Sequence, residues 1–403
     1  MYKSIKILDN LYWVGALDPD LKIFDIVMET KYGTTYNSYI LKGSQKTVLF
    51  ETAKDKFANQ FIDRIKDVID IKEIDYIVVN HTEPDHVGSV ATLLDYCPDA
   101  TIVGTGPALR FLKEITNRPF NSLPVSDGDT LNIGDRTIRF IMTPFLHWPD
   151  TMYSYVEEDK VLITCDSFGA HYCDERVFND VMEKEKGADI LDAYKYYFDM
   201  IMGPFKSYVT QALDKIKDLD IKIVCPGHGL ILRNDIQKYL DLYREWSSVK
   251  EREKPSVVIA YVSAYGYTKK MAEEIAKGVS SAGDVDVFIF DMVYENPSKV
   301  IGEMQSAKGL LFGSPTIVGD TLPPIWNLLT SLNPVIHKGK LAGAFGSYGW
   351  SGEAVSNIEG RLKQLRFKIP VPGLKINFNP SKDQLKQAYE FGQKFGQAIL
   401  EEK

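Results

Sequence analysis

Cysteine is scarce in this chain of 403 residues, and the four present, Cys97, Cys165, Cys173 and Cys225, form no CxxC pair. That spacing excludes a disulfide framework and a four-cysteine iron or zinc module within the chain. It fits buried thiols in a reducing compartment, so the cytoplasm is the expected location. Long apolar runs are missing as well. No stretch approaches the roughly 20 residues of a membrane span, and the opening MYKSIKILDNLYWVG scatters charges through its apolar residues, unlike a signal peptide. Basic blocks are also absent, and the formal net charge is −8. Neither a nucleic-acid surface nor a membrane-binding patch is expected.

What remains is an ordinary globular composition spread over a length that exceeds one core, so two domains are expected, 1–250 and 255–403. The first half mixes rhythms. Alternating runs over 22–29, 34–42 and 46–51 read as antiparallel strands, and Phe57, Phe61, Ile65 and Ile69 recur at helical spacing. Strands are then expected over 76–80, 100–104, 137–143, 160–166 and 221–226, with 180–218 helical. The charged stretch from Ser247 to Pro255 reads as a linker. Beyond it, strands over 257–262, 285–290, 309–312 and 341–345 alternate with helices, including one over 268–279 and a last one over 381–401. That rhythm predicts a doubly wound α/β domain with a parallel sheet.

Histidine is rare too, yet four of the six histidines follow apolar runs closely. The stretch NHTEPDHVGS, following the run Ile74–Val79, sets His81, Glu83, Asp85 and His86 within six positions. His147 ends the run from Phe140, Asp166 ends Val161–Cys165, and His228 follows Ile221–Val224. Each alone reads as a hydrogen-bonded loop residue. Together at strand ends, seven imidazole and carboxylate donors suit two metal ions bridged by a carboxylate. With no thiol among them, the set suits iron or manganese at least as well as zinc.

These residues carry a resemblance. H-x-E-x-D-H followed by separate His, Asp and His resembles the metallo-β-lactamase fold, with Glu83 where the hydrolases carry a second histidine. That replacement is the pattern of the flavodiiron proteins (A-type flavoproteins), and Leu146-His147-Trp148-Pro149-Asp150 also looks like the family. The resemblance implies that His81, Glu83 and His147 hold one iron, that Asp85, His86 and His228 hold the other, and that Asp166 bridges them. The position of His86 is not a ligand in every member.

The second half carries three small-residue loops after strands. Ser263-Ala264-Tyr265-Gly266-Tyr267-Thr268 is neither a Walker loop nor a GxGxxG fingerprint, but its hydroxyls and helix N-terminus can wrap a phosphate. Pro315, Thr316, Ile317 and Gly319 lie in the second loop; Ser347, Tyr348, Gly349, Trp350 and Gly352 lie in the third. Their small residues admit close approach of a flat ring. The three loops resemble those of flavodoxin, with the FMN phosphate in the first and its ring between the others.

The full resemblance therefore implies an αββα metallo-β-lactamase-like sandwich, α+β in class, followed by a flavodoxin-like α/β sheet. FMN and two non-haem irons would reduce dioxygen to water, nitric oxide to nitrous oxide, or both. The family implies an external donor, a rubredoxin or, in some archaeal relatives, a reduced deazaflavin coenzyme. It also implies a head-to-tail homodimer, with a tetramer as the larger assembly. A dizinc hydrolase and a non-catalytic FMN carrier are the rival classes. Among other residues, Tyr197 can supply a hydrogen bond to the metal site, and His171 reads equally as a ligand-orienting or a structural histidine. His337 reads as a solvated loop residue, and strand alternation should point Cys165 away from Asp166.

Overall fold

The computed structural model describes residues 2–26, 28–248 and 252–402. The chain divides into two compact units, Met1–Ser248 and Val249–Lys403. Residues 249–251 of the expected linker lie outside the described residues. Among the described residues no helix is long and apolar enough to cross a membrane.

The first unit stacks two sheets. One has seven strands, in the order Ile5–Lys6, Leu11–Trp13, Tyr39–Lys42, Thr47–Phe50, Ile74–Val79, Thr101–Gly104, Asn121–Pro124. The other has five, in the order Thr130–Asn132, Thr137–Met142, Met152–Val156, Val161–Cys165, Ile223–Pro226. Strand alternation sorts the side chains between layers. Val78 joins Val103, Phe140, Val161 and Ile163 in the core shared by the two sheets. Its neighbours Ile77 and Val79 join Phe61, Ile65 and Leu93 in the core under the helices. The result is an αββα sandwich whose strand ends present the loops discussed below.

The structure departs from the sequence pattern in three places. Residues 22–29 form not one strand but a tight hairpin, Ile23–Phe24 paired with Met28–Glu29. Asp25 and Ile26 both adopt positive φ there. The run 34–42 splits into Thr34–Tyr36, paired with Ala16–Asp18, and Tyr39–Lys42 in the seven-stranded sheet. Between them Asn37 N–H leaves the ladder and donates to Gly227 O at 2.8 Å. The helix over 180–218 breaks into Asn179–Tyr197, a π turn Phe198–Met202 and Lys206–Ile216. Pro204 lacks the N–H that would continue it.

The second unit is a five-stranded parallel sheet in the order Asp286–Asp291, Ser256–Tyr261, Gly309–Gly313, Leu341–Tyr348, Leu374–Asn377, the 2-1-3-4-5 flavodoxin order. Both faces are covered, as a parallel sheet requires. Val258 and Ala260 face one core; Val257 and Ile259 face the other. On the latter side the helices Tyr267–Ser281 and Lys382–Glu401 approach through glycines. A Cβ on Gly278 would lie 2.0 Å from Tyr389 O, and one on Gly392 would lie 2.1 Å from Ile275 O. Gly392→Ala is therefore expected to force the helices apart and destabilise this unit by about 1–3 kcal/mol. Thermal unfolding followed by circular dichroism tests this, and an unchanged midpoint would contradict the close approach.

Candidate functional site

In the first unit four strand ends deliver seven donor groups. His81 and Glu83 lie in the loop after Ile74–Val79, and the turn Pro84–Val87 then carries Asp85 and His86, with Pro84 at its start. His147 lies five residues past Thr137–Met142, Asp166 directly after Val161–Cys165, and His228 just past Ile223–Pro226. Five of the seven, His81, Asp85, His86, Asp166 and His228, are almost wholly buried.

The seven form two groups that meet at Asp166. Glu83 Oε2 lies 2.8 Å from His147 Nε2 and 3.2 Å from His81 Nε2, and Asp166 Oδ2 lies 3.5 and 3.4 Å from the same two nitrogens. On the other side Asp166 Oδ1 is 3.0 Å from His86 Nε2 and 3.5 Å from His228 Nε2. Asp85 completes that group, 3.1 Å from His228 Nε2 and 3.5 Å from His86 Nε2. One carboxylate thus turns one oxygen to each group.

Burial works against charge on His81, Glu83, Asp85, His86, His147 and Asp166, yet their mutual contacts prevail. The imidazoles hold Glu83, Asp85 and Asp166 below the usual carboxylate range. His81 is pushed up to about 9 by Asp150 and Glu83 against the cost of burial, and His147 to about 10 by Asp166 and Glu83. His86 is likewise raised, chiefly by Asp85, against its burial. Both Asp85 oxygens, His86 Nε2 and Asp166 Oδ2 are nevertheless buried without a hydrogen bond. Buried polar atoms are seldom left so. Donor atoms of His81, Glu83, His147 and Asp166 lie within 4.8 Å of one another, as do those of Asp85, His86 and His228. Orphaned oxygens and imidazole nitrogens facing one another fit two metal ions.

The outer ring of groups orients the donors. Asp150 Oδ1 lies 3.6 Å from His81 Nδ1, while Asp150 Oδ2 accepts from Thr82 N and Thr82 Oγ1 at 2.8 and 2.7 Å. His228 Nδ1 lies 2.6 Å from Thr35 O. Tyr197 OH donates to Asp166 Oδ1 at 3.0 Å. His171 pairs Nδ1 with Thr34 Oγ1 at 2.9 Å and packs on Phe24 and Tyr197. Burial and the neighbouring His228 push it down to about 3.

Two expectations are corrected. Cys165 does not point away: its Sγ lies 3.6 Å from His86 Nδ1. A register shift between Ile163 and Cys165, together with a φ of 51° at Cys165, breaks the alternation. His337 is not solvated. It is buried at the end of the turn Pro334–His337, with Nδ1 3.0 Å from Asn333 O and its ring beside Phe367. Glu51 and Asp150 were missed. Glu51 directly follows the apolar strand Thr47–Phe50, the same signature as Asp166 after Cys165, and could have been found by it.

In the second unit a cavity of about 530 Å³ opens at the carboxyl ends of the strands. Tyr265, Tyr267, Pro315, Thr316, Ile317, Gly319, Ser347, Tyr348, Gly349 and Trp350 line it, and so do Val318, Ser351 and Phe378, which were not expected. Ser263, Ala264, Gly266, Thr268 and Gly352 are not among its lining residues. Gly266 and Gly352, at φ of 80° and 76°, instead precede the helices Tyr267–Ser281 and Glu353–Gln364. Thr268 Oγ1 is buried 2.9 Å from Ser347 Oγ. The size, the aromatic and small-residue walls and the adjacent helix N-terminus fit a flat ring carrying a phosphate.

A sandwich that gathers a two-metal donor set, followed in the same chain by a flavodoxin-like sheet, defines a class of flavin- and metal-dependent oxidoreductases. Comparison with known proteins agrees. The family models for the ODP family beta lactamase and for flavodoxin match residues 34–229 and 259–392. The flavo-diiron protein FprA2 of Clostridium acetobutylicum is 40% identical over 405 residues, covering 98% of this chain and 100% of that one. A nitric oxide reductase of Moorella thermoacetica is 36% identical over 406 residues, covering 100% of both chains. Among solved structures, the rubredoxin oxygen:oxidoreductase from Desulfovibrio gigas superposes with a TM-score of 0.68 at 29% identity, covering 99% of each chain. The chain belongs to the flavodiiron proteins, whose cofactors are FMN and a non-haem diiron centre.

Asp150→Asn removes the carboxylate beside His81 Nδ1. Iron affinity is expected to fall about 10–100-fold, since groups that orient metal ligands carry effects of that size. Titration against a competing chelator measures it, and wild-type affinity would show that Asp150 serves only the Thr82 turn.

Proposed function

We propose that this oxidoreductase reduces dioxygen to water, nitric oxide to nitrous oxide, or both. Electrons would come from an external donor. The observation that carries this reading is the division of Asp166, with one oxygen facing His81, Glu83 and His147 and the other facing Asp85, His86 and His228. In this reading those two groups each hold one iron and Asp166 bridges them. Bound there, the iron pair and FMN supply the electrons, and joining two nitric oxide molecules takes two while reducing dioxygen to two waters takes four.

The chain's own residues do the rest. The bridging carboxylate sets the spacing of the two donor groups, so two substrate atoms can be held side by side. Tyr197 holds Asp166 through a hydrogen bond, and Asp150 and the Thr35 carbonyl hold His81 and His228. Thr268 and Ser263 lie where a phosphate would meet the start of the helix Tyr267–Ser281, and the loops carrying Thr316 and Tyr348 would flank the ring. Ser263, Ala264 and Gly266 would present backbone N–H groups to the phosphate, with Gly352 shaping the third loop.

A rubredoxin or similar small protein is the proposed donor, with a reduced deazaflavin coenzyme as the alternative. The names of the relatives support the first. The rim of the flavin cavity also leaves an approach open, with Tyr265 80%, Val318 95% and Trp350 92% exposed. A head-to-tail homodimer, or a tetramer built from it, is the proposed assembly. The cytoplasm is the proposed location, supported by four cysteines without disulfide partners.

The test is gas consumption by the iron- and FMN-loaded protein, with rubredoxin and its reductase as donor and each gas offered separately. Turnover of either gas supports the reading; inertness toward both, with the flavin demonstrably reduced, contradicts it. His228→Ala should abolish turnover and leave FMN bound, and full activity in that variant would refute the ligand assignment. Thr268→Val should weaken FMN binding and leave iron content unchanged, measured by flavin fluorescence on dilution. Undiminished retention would rule out the phosphate role.

A further inference from the structure

Metal-bound histidines almost always donate their second N–H to a carboxylate, a carbonyl or water, which fixes both tautomer and ring orientation. His228 Nδ1 meets the Thr35 carbonyl in this way at 2.6 Å, and His81 Nδ1 faces Asp150 Oδ1 at 3.6 Å. His86 has a different neighbourhood. Its Nε2 lies 3.0 Å from Asp166 Oδ1, on the metal side. Its Nδ1 faces Cys165 Sγ at 3.6 Å, and donor atoms of Glu51, His86 and Cys165 all lie within 4.8 Å of one another.

The backbone is shaped to deliver this cluster. Glu51 and Cys165 both adopt positive φ, 56° and 51°, an uncommon conformation for residues with a side chain, at the ends of the strands Thr47–Phe50 and Val161–Cys165. Glu51 is fully buried. One oxygen accepts from Asn80 N at 2.7 Å, while Oε2 is left with no partner. Gly227 closes the flank of the ring: a Cβ there would lie 2.7 Å from His86 Cε1 and 3.2 Å from Nδ1. The ring is therefore walled on one flank and met at Nδ1 by a thiol, with the partnerless oxygen of Glu51 in the same buried cluster.

We propose that Cys165 and Glu51 are positioning residues for His86: the Cys165 sulfur accepts a hydrogen bond from its Nδ1–H, the Glu51 carboxyl is a buried polar neighbour in the same cluster, and Nε2 is thereby held toward the metals. The inference rests on the dinuclear reading above. It implies that the second donor group depends on residues that touch no metal.

The test is anaerobic titration of the metal-free full chain with ⁵⁷Fe(II), read by iron affinity and by Mössbauer spectra at saturation. Wild type should bind two irons. Glu51→Gln keeps the shape and the bond to Asn80 but replaces the carboxyl in the cluster with an amide; Cys165→Ala removes the sulfur. Each should weaken one iron about 10–100-fold and leave the other unchanged. Each should also alter the same spectral component that His86→Ala alters. Cys165→Ser, which retains a hydrogen-bonding atom, should restore much of the affinity. Wild-type affinity and spectra in both Glu51→Gln and Cys165→Ala would overturn the proposal. So would equal weakening of both irons, or failure of Cys165→Ser to recover anything, since both point to a general packing role. A wild type that binds fewer than two irons would instead overturn the dinuclear reading itself.

Discussion

Three carboxylates and four imidazoles share one desolvated volume at the ends of four strands, and the first unit is organised around keeping them there. Burying any one of these charges alone would cost several kcal/mol. They survive together because each is close to an opposite partner: Glu83 sits between His81 and His147, and Asp166 lies against all four rings. Without metal, the raised His81 and His147 lend this cluster positive charge. The stability this charge contributes is fully present below their ordinary value near 6.5 and is lost as pH rises through about 9 and 10. Two divalent cations would take over the same role with shorter contacts to more atoms, and would release protons on entering.

The scaffold explains why the cluster can be held at such separations. His81, Asp166 and His228 follow strands that pack against a common core, including Val78, Ile163 and Cys225, so their starting points move little. Seating them directly after strands anchored in that core is more precise than seating them in free loops. Tyr197 OH donating to Asp166, the Thr35 carbonyl against His228 Nδ1 and the Asp150 carboxylate beside His81 Nδ1 then set ring and carboxylate orientation. In the second unit the same logic applies to a different ligand. Parallel strands end together, a helix N-terminus faces their ends, and small residues leave a cavity where side chains would otherwise meet.

Much of this was legible in the chain because donor residues after apolar runs are unusual, and because the doubly wound rhythm after residue 255 is regular. His81, Glu83, Asp85, His86, His147, Asp166 and His228 were all visible by that signal, and the structure brings them together. What was not legible depended on departures from regular geometry. Cys165 turns toward His86 only because the strand shifts register just before it. Phe378 reaches the cavity of the second unit from beyond the short strand Leu374–Asn377, too brief to stand out by alternation. His337 is buried because its turn packs against Phe367, a contact between residues thirty positions apart. Glu51 carries the same signature after Thr47–Phe50, but one carboxylate after one strand says little by itself.

In the proposed reading, two metal ions held in this buried cluster complete the first unit. Calorimetry of the full chain, metal-free and loaded with ferrous iron under anaerobic conditions, tests it most directly. A ligand that binds only the folded state at about a hundredfold above its dissociation constant stabilises by about 2.7 kcal/mol per site. For a unit of this size each kcal/mol raises the midpoint by about 2–4 °C. The account predicts two irons per chain and a rise of about 10–20 °C in the transition of the first unit, with that of the flavodoxin-like unit unmoved. Fewer than two irons, or two irons bound without a shift of the first transition, would contradict it.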